Sequence, residues 1–112
     1  MIIYQGNSYE LPIILKINGA KITADDVEKV EFSFGQRERD KTYTEILNKT
    51  YPDIATNDGE KFILPLTQDD TLLLPHKAET YFQARICFKD GSVKTTGHRA
   101  VNVMPSISKA VL

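Results

Sequence analysis

The sequence contains 112 residues, the size of one domain that can bury a substantial hydrophobic core. Apolar residues form 41% and charged residues 26% of the chain, as in ordinary globular proteins, and the formal net charge is −1. This charge gives no basic field for a phosphate backbone, which argues against nucleic acid as the main partner. No apolar run approaches the roughly 18 to 20 residues of a membrane span, so no membrane partner is expected.

Cys87 is the only cysteine, so the chain cannot form an internal disulfide and must depend on its core for stability. The first ten residues, MIIYQGNSYE, have neither the basic start nor the long apolar segment of a signal peptide. We therefore expect a protein that is cytoplasmic when it is synthesised.

The N-terminal part of the chain has a strand pattern. Ile2–Tyr4 favours a short strand, and the alternation over Tyr9–Ile17 predicts one strand of about ten residues. Pro12 places this strand at a sheet edge or at a bulge, because proline cannot donate a hydrogen bond to a neighbouring strand. Asn18 and Gly19 predict the turn that ends it.

The central part combines one helical turn with strands and loops. Thr23–Asp26 has the sequence of a helix cap, and Val30–Phe34 predicts a strand with one apolar face. The alternating charges of Gln36–Lys41 predict a solvated hairpin tip. A weaker strand is predicted over Thr42–Leu47, and residues 48–60 are turn or loop by composition.

The next segment predicts another strand and a second crossover. Phe62–Leu66 alternates apolar and outward-facing residues, and Pro65 again favours a sheet edge. Thr67–Leu74 repeats the cap pattern and predicts a second helical turn that stops before Pro75. After the last strand, residues 106–112 predict a short tail that frays unless a partner holds it.

Residues 79–104 predict a long β-hairpin. Asp90 and Gly91 separate its two alternating runs and favour a two-residue type I′ turn, which needs positive φ at both central residues. This turn sets Phe88 opposite Val93 and Ile86 opposite Thr95. The apolar side chains of the two arms then share one face.

Arg99 falls on that apolar face, where an arginine is costly. We therefore expect either a bulge or kink near Gly97 or an open end of the sandwich at Arg99. Together these elements predict an all-β fold, an immunoglobulin-like antiparallel β-sandwich of about seven strands with two one-turn helical crossovers. Residues 1–105 would form this domain, and a small, partly open barrel is the alternative.

Catalytic and metal-binding patterns are weak in this sequence. Cys87 would face Lys94 rather than His98, and no orienting group or oxyanion donors accompany the thiol, so we expect no enzymatic activity. His76 and His98 lack neighbouring ligands at metal spacing, so no cofactor is expected. One loop carries oxygen ligands that could hold a calcium ion, and an ordinary polar loop is the alternative interpretation. The residues with these ligands are Asp53, Asn57, Asp58 and Glu60.

The polar face of the long hairpin is the candidate interaction surface. Its side chains form a mildly basic patch on a rigid sheet, which suits contact with a protein or a glycan. A plain solvated face covered by long side chains is the alternative interpretation. The residues predicted to share this face are Gln83, Arg85, Lys89, Lys94, Thr96 and His98.

Four stretches occur in an order that resembles a known family. They are GNSYELPIILKING, ITADDVEKVEFSFG, FILPLTQDDTLLLP and YFQARICFKDGSVKTTGHRAVNV. The pattern is an opening strand after Gly and polar residues, an I-T-x-x-D-V crossover, an L-T-x-x-D-T-x-x-L turn and a Tyr-led hairpin closed by Asp-Gly. It resembles the N-terminal immunoglobulin-like domain of upper baseplate and tail proteins from phages and prophages of Gram-positive bacteria.

The resemblance implies a non-enzymatic structural or assembly protein of a phage tail or baseplate. Its expected partners are other phage structural proteins or copies of itself, in a homo-oligomer or a larger assembly, and its final location would be a virion. A second hypothesis is a module that binds a glycan or another cell-surface ligand through the loops of residues 36–41 and 53–60. Exposed strand edges are further candidate contact sites.

Overall fold

The computed structural model describes all residues from Met1 to Leu112, and almost all of its regular structure is β. The all-β class predicted from the alternating pattern is confirmed. The eleven strands are β1 (Ile2–Tyr4), β2 (Tyr9–Ile13), β3 (Leu15–Ile17), β4 (Ala20–Ile22), β5 (Val27–Arg37), β6 (Tyr43–Tyr51), β7 (Thr56–Asn57), β8 (Lys61–Leu66), β9 (Thr80–Phe88), β10 (Val93–Thr95) and β11 (Arg99–Met104).

The strands form one large sheet, one small sheet and a separate hairpin. The large sheet has the order β1-β11-β9-β5-β6, with β10 also paired to β9. The small sheet has the order β2-β8-β7, and β3 pairs with β4. All pairs are antiparallel except β1 and β11, which run parallel. The expectation of a purely antiparallel fold is therefore wrong for this one pair.

The hydrophobic core lies between the apolar faces of the large and the small sheet. Phe32 of β5 is fully buried, and its ring centroid lies 5.8 Å from that of Phe62 in β8 and 6.1 Å from that of Phe82 in β9. Tyr51 closes the side of this cluster with its ring edge-on to Phe62. Phe32 thus joins both sheets in one core.

The predicted ten-residue strand over Tyr9–Ile17 is divided in two. The break falls at Ile14, which is exposed, so β2 pairs with β8 while β3 turns back on β4. Pro12 lies on β2, an edge strand of the small sheet, as expected because proline has no N–H to donate to a neighbouring strand. The count rises from about seven strands to eleven. This break adds one strand, the division of the second hairpin arm into β10 and β11 adds another, and the short strands β4 and β7 carry no long alternation.

Proline also explains the shape of the small sheet around Pro65. The strand β7 pairs only with Phe62 and Lys61 at the beginning of β8. Pro65 pairs with Glu10 on the other side, and no strand flanks it on the β7 side. Pro65 therefore lies at a local edge although β8 is the middle strand of its sheet.

Both helical crossovers are confirmed. A 3₁₀ turn covers Ala24–Asp26, and the carboxylate of Asp26 accepts the backbone N–H of Thr23 at 2.9 Å. Helix α1 covers Gln68–Leu73, and its cap is reciprocal: Thr67 Oγ1 accepts from the Asp70 N–H while Asp70 accepts from the Thr67 N–H. Each cap satisfies backbone donors that a short helix leaves free.

The long hairpin forms, but its predicted register is wrong by one residue. Cys87 pairs with Val93 and Arg85 with Thr95, and Phe88 N–H bonds to the Ser92 carbonyl. The loop therefore contains three residues, and only Gly91 has a positive φ, +89°, whereas a type I′ turn needs two. Asp90 accepts from both the N–H and the hydroxyl of Ser92, which favours this longer turn.

The bulge expected near Gly97 is present. Thr96 exchanges backbone and side-chain hydrogen bonds with Ala84, yet Arg99 pairs with Phe82. From Thr96 to Arg99 the chain advances three residues, whereas β9 advances only two, from Ala84 to Phe82. The extra residue forms the bulge that separates β10 from β11. Arg99 has the inward parity but is exposed, because it lines an opening between the sheets.

Strand β6 is longer than expected. It runs from Tyr43 to Tyr51, so residues 48–51, predicted to be loop, extend the pairing with β5. Their Asn, Lys and Thr side chains have loop-like composition, but at the rim of a sheet polar side chains can face solvent. The hairpin tip predicted over Gln36–Lys41 comprises residues 38–42 in the structure, because β5 continues to Arg37.

The C-terminal segment has no regular structure but lies against the N-terminal segment and helix α1. Gln5 is buried, donates to the Leu74 carbonyl at 2.7 Å and accepts from the Ser106 N–H and the Lys109 ammonium. The Leu112 N–H donates to the side-chain oxygen of Gln68. The strand β1, helix α1 and the tail are therefore tied together around one buried amide.

Candidate functional site

The outer face of the large sheet carries a shallow groove of about 260 Å³. It crosses three adjacent strands, β6, β5 and β9, on the side away from the core. We call it the outer groove and define it by these residues: Glu31, Ser33, Gly35, Tyr43, Glu45, Tyr81, Gln83, Arg85 and His98.

The pleat of the strands places these side chains together. In β5, Phe32 and Phe34 point into the core, so Glu31, Ser33 and Gly35 face outward. The register pairs Glu31 with Arg85 and Gly35 with Tyr81 on β9. Gly35 sits at a bulge against β6, where a Cβ would come within 3.3 Å of the Thr44 carbonyl oxygen, so the glycine lets the two backbones approach closely.

Three aromatic rings close one end of the outer groove. The Tyr43 and His98 ring centroids lie 4.5 Å apart, and the Tyr43 hydroxyl is 3.1 Å from His98 Nδ1. Tyr81 stands edge-on to Tyr43 at 5.8 Å. Because Tyr43 remains 43% exposed, part of its ring is accessible to a ligand. The rings pack on one another, so they form a wall and not a cage.

The polar end of the groove holds charges that are not paired within the protein. Glu31 and Arg85 are neighbours on adjacent strands, yet neither takes part in an ion pair. Glu45 accepts from the Ser33 hydroxyl and the Asn48 amide, each at 3.2 Å, which fixes its carboxylate at the rim. The groove thus offers separate hydrogen-bond donors and acceptors to solvent.

The structure brings together three of the six side chains predicted for the hairpin face. Gln83, Arg85 and His98 lie in the outer groove. Lys94 and Thr96 do not share this face, because the register shift sets them opposite the buried Ile86 and Ala84. Lys89 lies in the hairpin turn, where its N–H donates to the Asp26 carbonyl. The expected basic patch is instead a mixed-charge groove.

Alternation along β9 identified Gln83 and Arg85, but the predicted surface omitted the contributions of β5 and β6. Glu31 and Ser33 carry a usable signal, since they occupy the polar parity of β5. The pairing of β5 with β9 joins residues far apart in sequence and has no local signal. No sequence pattern around Tyr43 predicted that its side chain lies in this groove.

Cys87 and His98 are not partners. Cys87 is half-buried opposite Val93, with its Sγ 3.8 Å from the Phe88 carbonyl oxygen, and the predicted contact with Lys94 is wrong. His98 lies between β10 and β11, beside the part of β9 near Gln83, which is four residues or roughly 13 Å from Cys87 along the strand. The side chains that line the space beside the thiol are Lys29, Glu31, Arg85 and Val93, so no histidine is there to act as a base for it.

The two loops proposed for ligand binding lie at opposite ends of β5. The tip of residues 38–42 follows the end of this strand, whereas Gly59 bonds to Ala24 just before its beginning. The 11 residues of β5 span roughly 35 Å. The loops cannot form one site.

The candidate calcium loop is organised by contacts within the protein. Glu60 forms an ion pair with Lys21 at 3.1 Å, and Asp58 and Gly59 both adopt left-handed backbone angles. No group of three or more His, Cys, Asp or Glu side chains is arranged to hold a metal ion. No helix of the protein has both the length and the apolar character to cross a membrane.

A second surface lies where the N-terminal strand, its partner and the tail meet. Eleven large apolar side chains are exposed, and eight of them belong to β1 with Met1, to the end of β11, to helix α1 or to the tail. We call this surface the terminal edge. Its residues are Met1, Ile2, Tyr4, Leu73, Met104, Ile107, Val111 and Leu112.

Comparison with known proteins adds no family assignment. No protein-family model matches this sequence, and no curated protein shows significant similarity to it. The roles of the outer groove and the terminal edge therefore have to be inferred from their own chemistry.

Proposed function

We propose that this chain is a non-enzymatic structural or assembly protein of a phage tail or baseplate, built as an immunoglobulin-like β-sandwich. Its sequence pattern resembles such domains over nearly its whole length, and an all-β fold with two sheets packed face to face is compatible with that family. Function does not follow from fold, so the proposal depends on a surface that suits assembly.

The observation that carries this proposal is the terminal edge. Ile2 is 59%, Tyr4 51% and Met104 42% exposed, and all three project from neighbouring strands on the outer face. Exposed apolar side chains that cluster mark contact surfaces, whereas scattered ones do not. β1 also has no strand on its far side, so its backbone can pair with another chain.

The occupant we propose is a second copy of this chain. β1 of one copy would pair antiparallel with β1 of the other about a twofold axis, which joins the two large sheets into one. The apolar side chains of Ile2 and Tyr4 would then be repeated across the interface. Such an isologous contact needs no second protein to bury this edge.

Sedimentation velocity over a range of concentrations tests the self-association. We expect a dimer for the wild type and a monomer for Ile2→Lys, because a charge on β1 opposes edge pairing. Ile14→Lys is the matched control: Ile14 is 46% exposed but lies outside the terminal edge, so this variant should dimerise normally. A monomeric wild type at millimolar concentration would contradict the proposed contact.

The particle role is tested separately by inducing the prophages of the source strain, purifying the particles by density and searching them for peptides of this protein by mass spectrometry. Stoichiometric recovery supports a structural role, and the copy number indicates tail, baseplate or head. Complete particles without the protein would exclude a structural place in the mature virion.

A further inference from the structure

We propose that the outer groove binds a neutral saccharide. This inference concerns a different surface from the terminal edge and does not depend on the assembly role. The volume of about 260 Å³ lies just below the range of roughly 300 to 1,000 Å³ that holds drug-sized ligands, which suits one sugar ring and part of a second.

The hydrogen-bonding groups of the groove favour a polyhydroxylated ligand. Glu31 accepts only, Arg85 donates only, and Gln83 does both. Neighbouring hydroxyls of a sugar can donate to a carboxylate and accept from a guanidinium at the same time. Because Glu31 and Arg85 lie side by side without an ion pair, both are free to bind such a ligand.

The charge balance argues against an ionic ligand. Glu31 and Glu45 carry two negative charges against one positive charge on Arg85, so an anion would meet a net negative surface. A cation bound at Glu31 would meet the positive charge of the neighbouring Arg85, and Glu45 already accepts hydrogen bonds from Ser33 and Asn48. A cation could not enter between the three rings either, since they are in mutual contact. A neutral molecule with alternating polar edges and apolar faces avoids both conflicts.

The aromatic wall supplies the apolar part of the site. Tyr43 is partly exposed and is held in place by His98, so its orientation is fixed before binding. Gly35 lies beside it in the groove and adds no side chain there. A sugar ring with its C–H face on Tyr43 would place its hydroxyls toward Arg85 and Glu31, further along the groove.

The test is a titration of the ¹⁵N-labelled protein with glucose, galactose, N-acetylglucosamine and rhamnose, followed by amide chemical shifts. We expect saturable shifts for at least one sugar at the amides of Gly35, Tyr43 and Gln83. Tyr43→Ala should weaken binding roughly tenfold. Arg85→Gln should weaken it by a similar factor, and because Arg85 is exposed this variant keeps the fold.

Matched controls distinguish the groove from a general effect. Tyr4→Ala removes a tyrosine of similar exposure outside the groove, and Arg39→Gln removes an exposed loop arginine; both should bind like the wild type. The proposal is wrong if no sugar gives a saturable shift, if the shifts map elsewhere, or if both groove variants bind normally. Preference for glucuronate over glucose would also overturn it, since that ligand is anionic.

Discussion

The ammonium group of Lys49 lies 2.9 Å from the carboxylate of Asp70, and this ion pair connects strand β6 to helix α1. Both side chains are largely buried, with 27% and 16% of their surface exposed. The same carboxylate also caps the helix through Thr67. One side chain thus fixes the start of α1 and holds it against the large sheet.

This arrangement predicts an acid-dependent loss of stability. Desolvation of Asp70 acts to raise its pKa, but hydrogen bonds from Thr67 and Lys49 outweigh it and hold the pKa below 3.8. Because the pKa of Asp70 is lower in the folded than in the unfolded protein, its carboxylate stabilises the fold fully at pH values above the unfolded-state pKa. This stabilisation is lost as the pH falls through the folded-state pKa. We expect Asp70→Asn to cost about 1 to 2 kcal/mol at neutral pH.

Urea unfolding at neutral pH and at a pH well below 3.8 measures this effect. The difference between wild type and Asp70→Asn should shrink in acid, where both side chains are uncharged. Asp69→Asn, one residue earlier in the same helical turn, is the control and should change stability little. An equal loss at both pH values would mean that the charge of Asp70 contributes nothing.

The Thr71 hydroxyl provides a second prediction. It is fully buried, accepts the Gly6 N–H at 2.9 Å and donates to the Asn7 carbonyl at 2.8 Å. Thr71→Val keeps the shape but leaves both backbone groups without a partner, which should cost about 1 to 3 kcal/mol in the free energy of unfolding. Thr71→Ser keeps the hydroxyl and should lose less. A loss for Thr71→Ser as large as that for Thr71→Val would mean that the hydroxyl is not the dominant contribution of this side chain.

The third prediction concerns the centre of the core. Phe32→Ala should destabilise the fold by about 3 to 5 kcal/mol, because it removes a fully buried ring that contacts both sheets. Domains of this kind have only about 5 to 15 kcal/mol of stability. Phe88→Ala, which truncates a half-buried ring at the end of β9, is the control, and chemical denaturation should show a smaller loss.

Gly91 and Gly97 form a matched pair in the long hairpin. Gly91 has φ +89°, so Gly91→Ala should cost about 1 to 2 kcal/mol through backbone strain alone. Gly97 has no positive φ, and a Cβ there would meet nothing within 4 Å. Gly97→Ala should therefore be nearly neutral in thermal unfolding. If both substitutions were tolerated, the three-residue turn would be incorrect.

The hairpin also shows what local sequence could and could not predict. At Asn18 and Gly19 both residues have positive φ, and the two-residue turn between β3 and β4 forms as Asn-Gly predicts. At Asp90 and Gly91 the same reasoning failed, because Ser92 captures the Asp90 carboxylate and lengthens the loop. One extra residue reverses the face of the side chains as far as the bulge near Gly97, which removed Lys94 and Thr96 from the predicted surface but left His98 on it.

The strands and caps were largely predictable because their signals are local. Alternation identified the inner faces of β5, β8 and β9, and the two threonine caps gave both crossovers. The outer groove was only half predictable, since it needs β5 and β6 beside β9. That strand order is determined by pairing between residues far apart in the sequence, and no short sequence pattern predicts it.

The parallel contact between β1 and β11 has a consequence for folding. Ile3 is fully buried, yet its partner strand lies about 100 residues later in the chain, as the pairing of Ile3 with Val103 shows. During synthesis β1 therefore cannot pair until β11 has left the ribosome, and its apolar side chains stay exposed until then. Its docking closes the largest loop in the chain, so a chaperone that shields this segment until then would reduce aggregation of the incomplete chain.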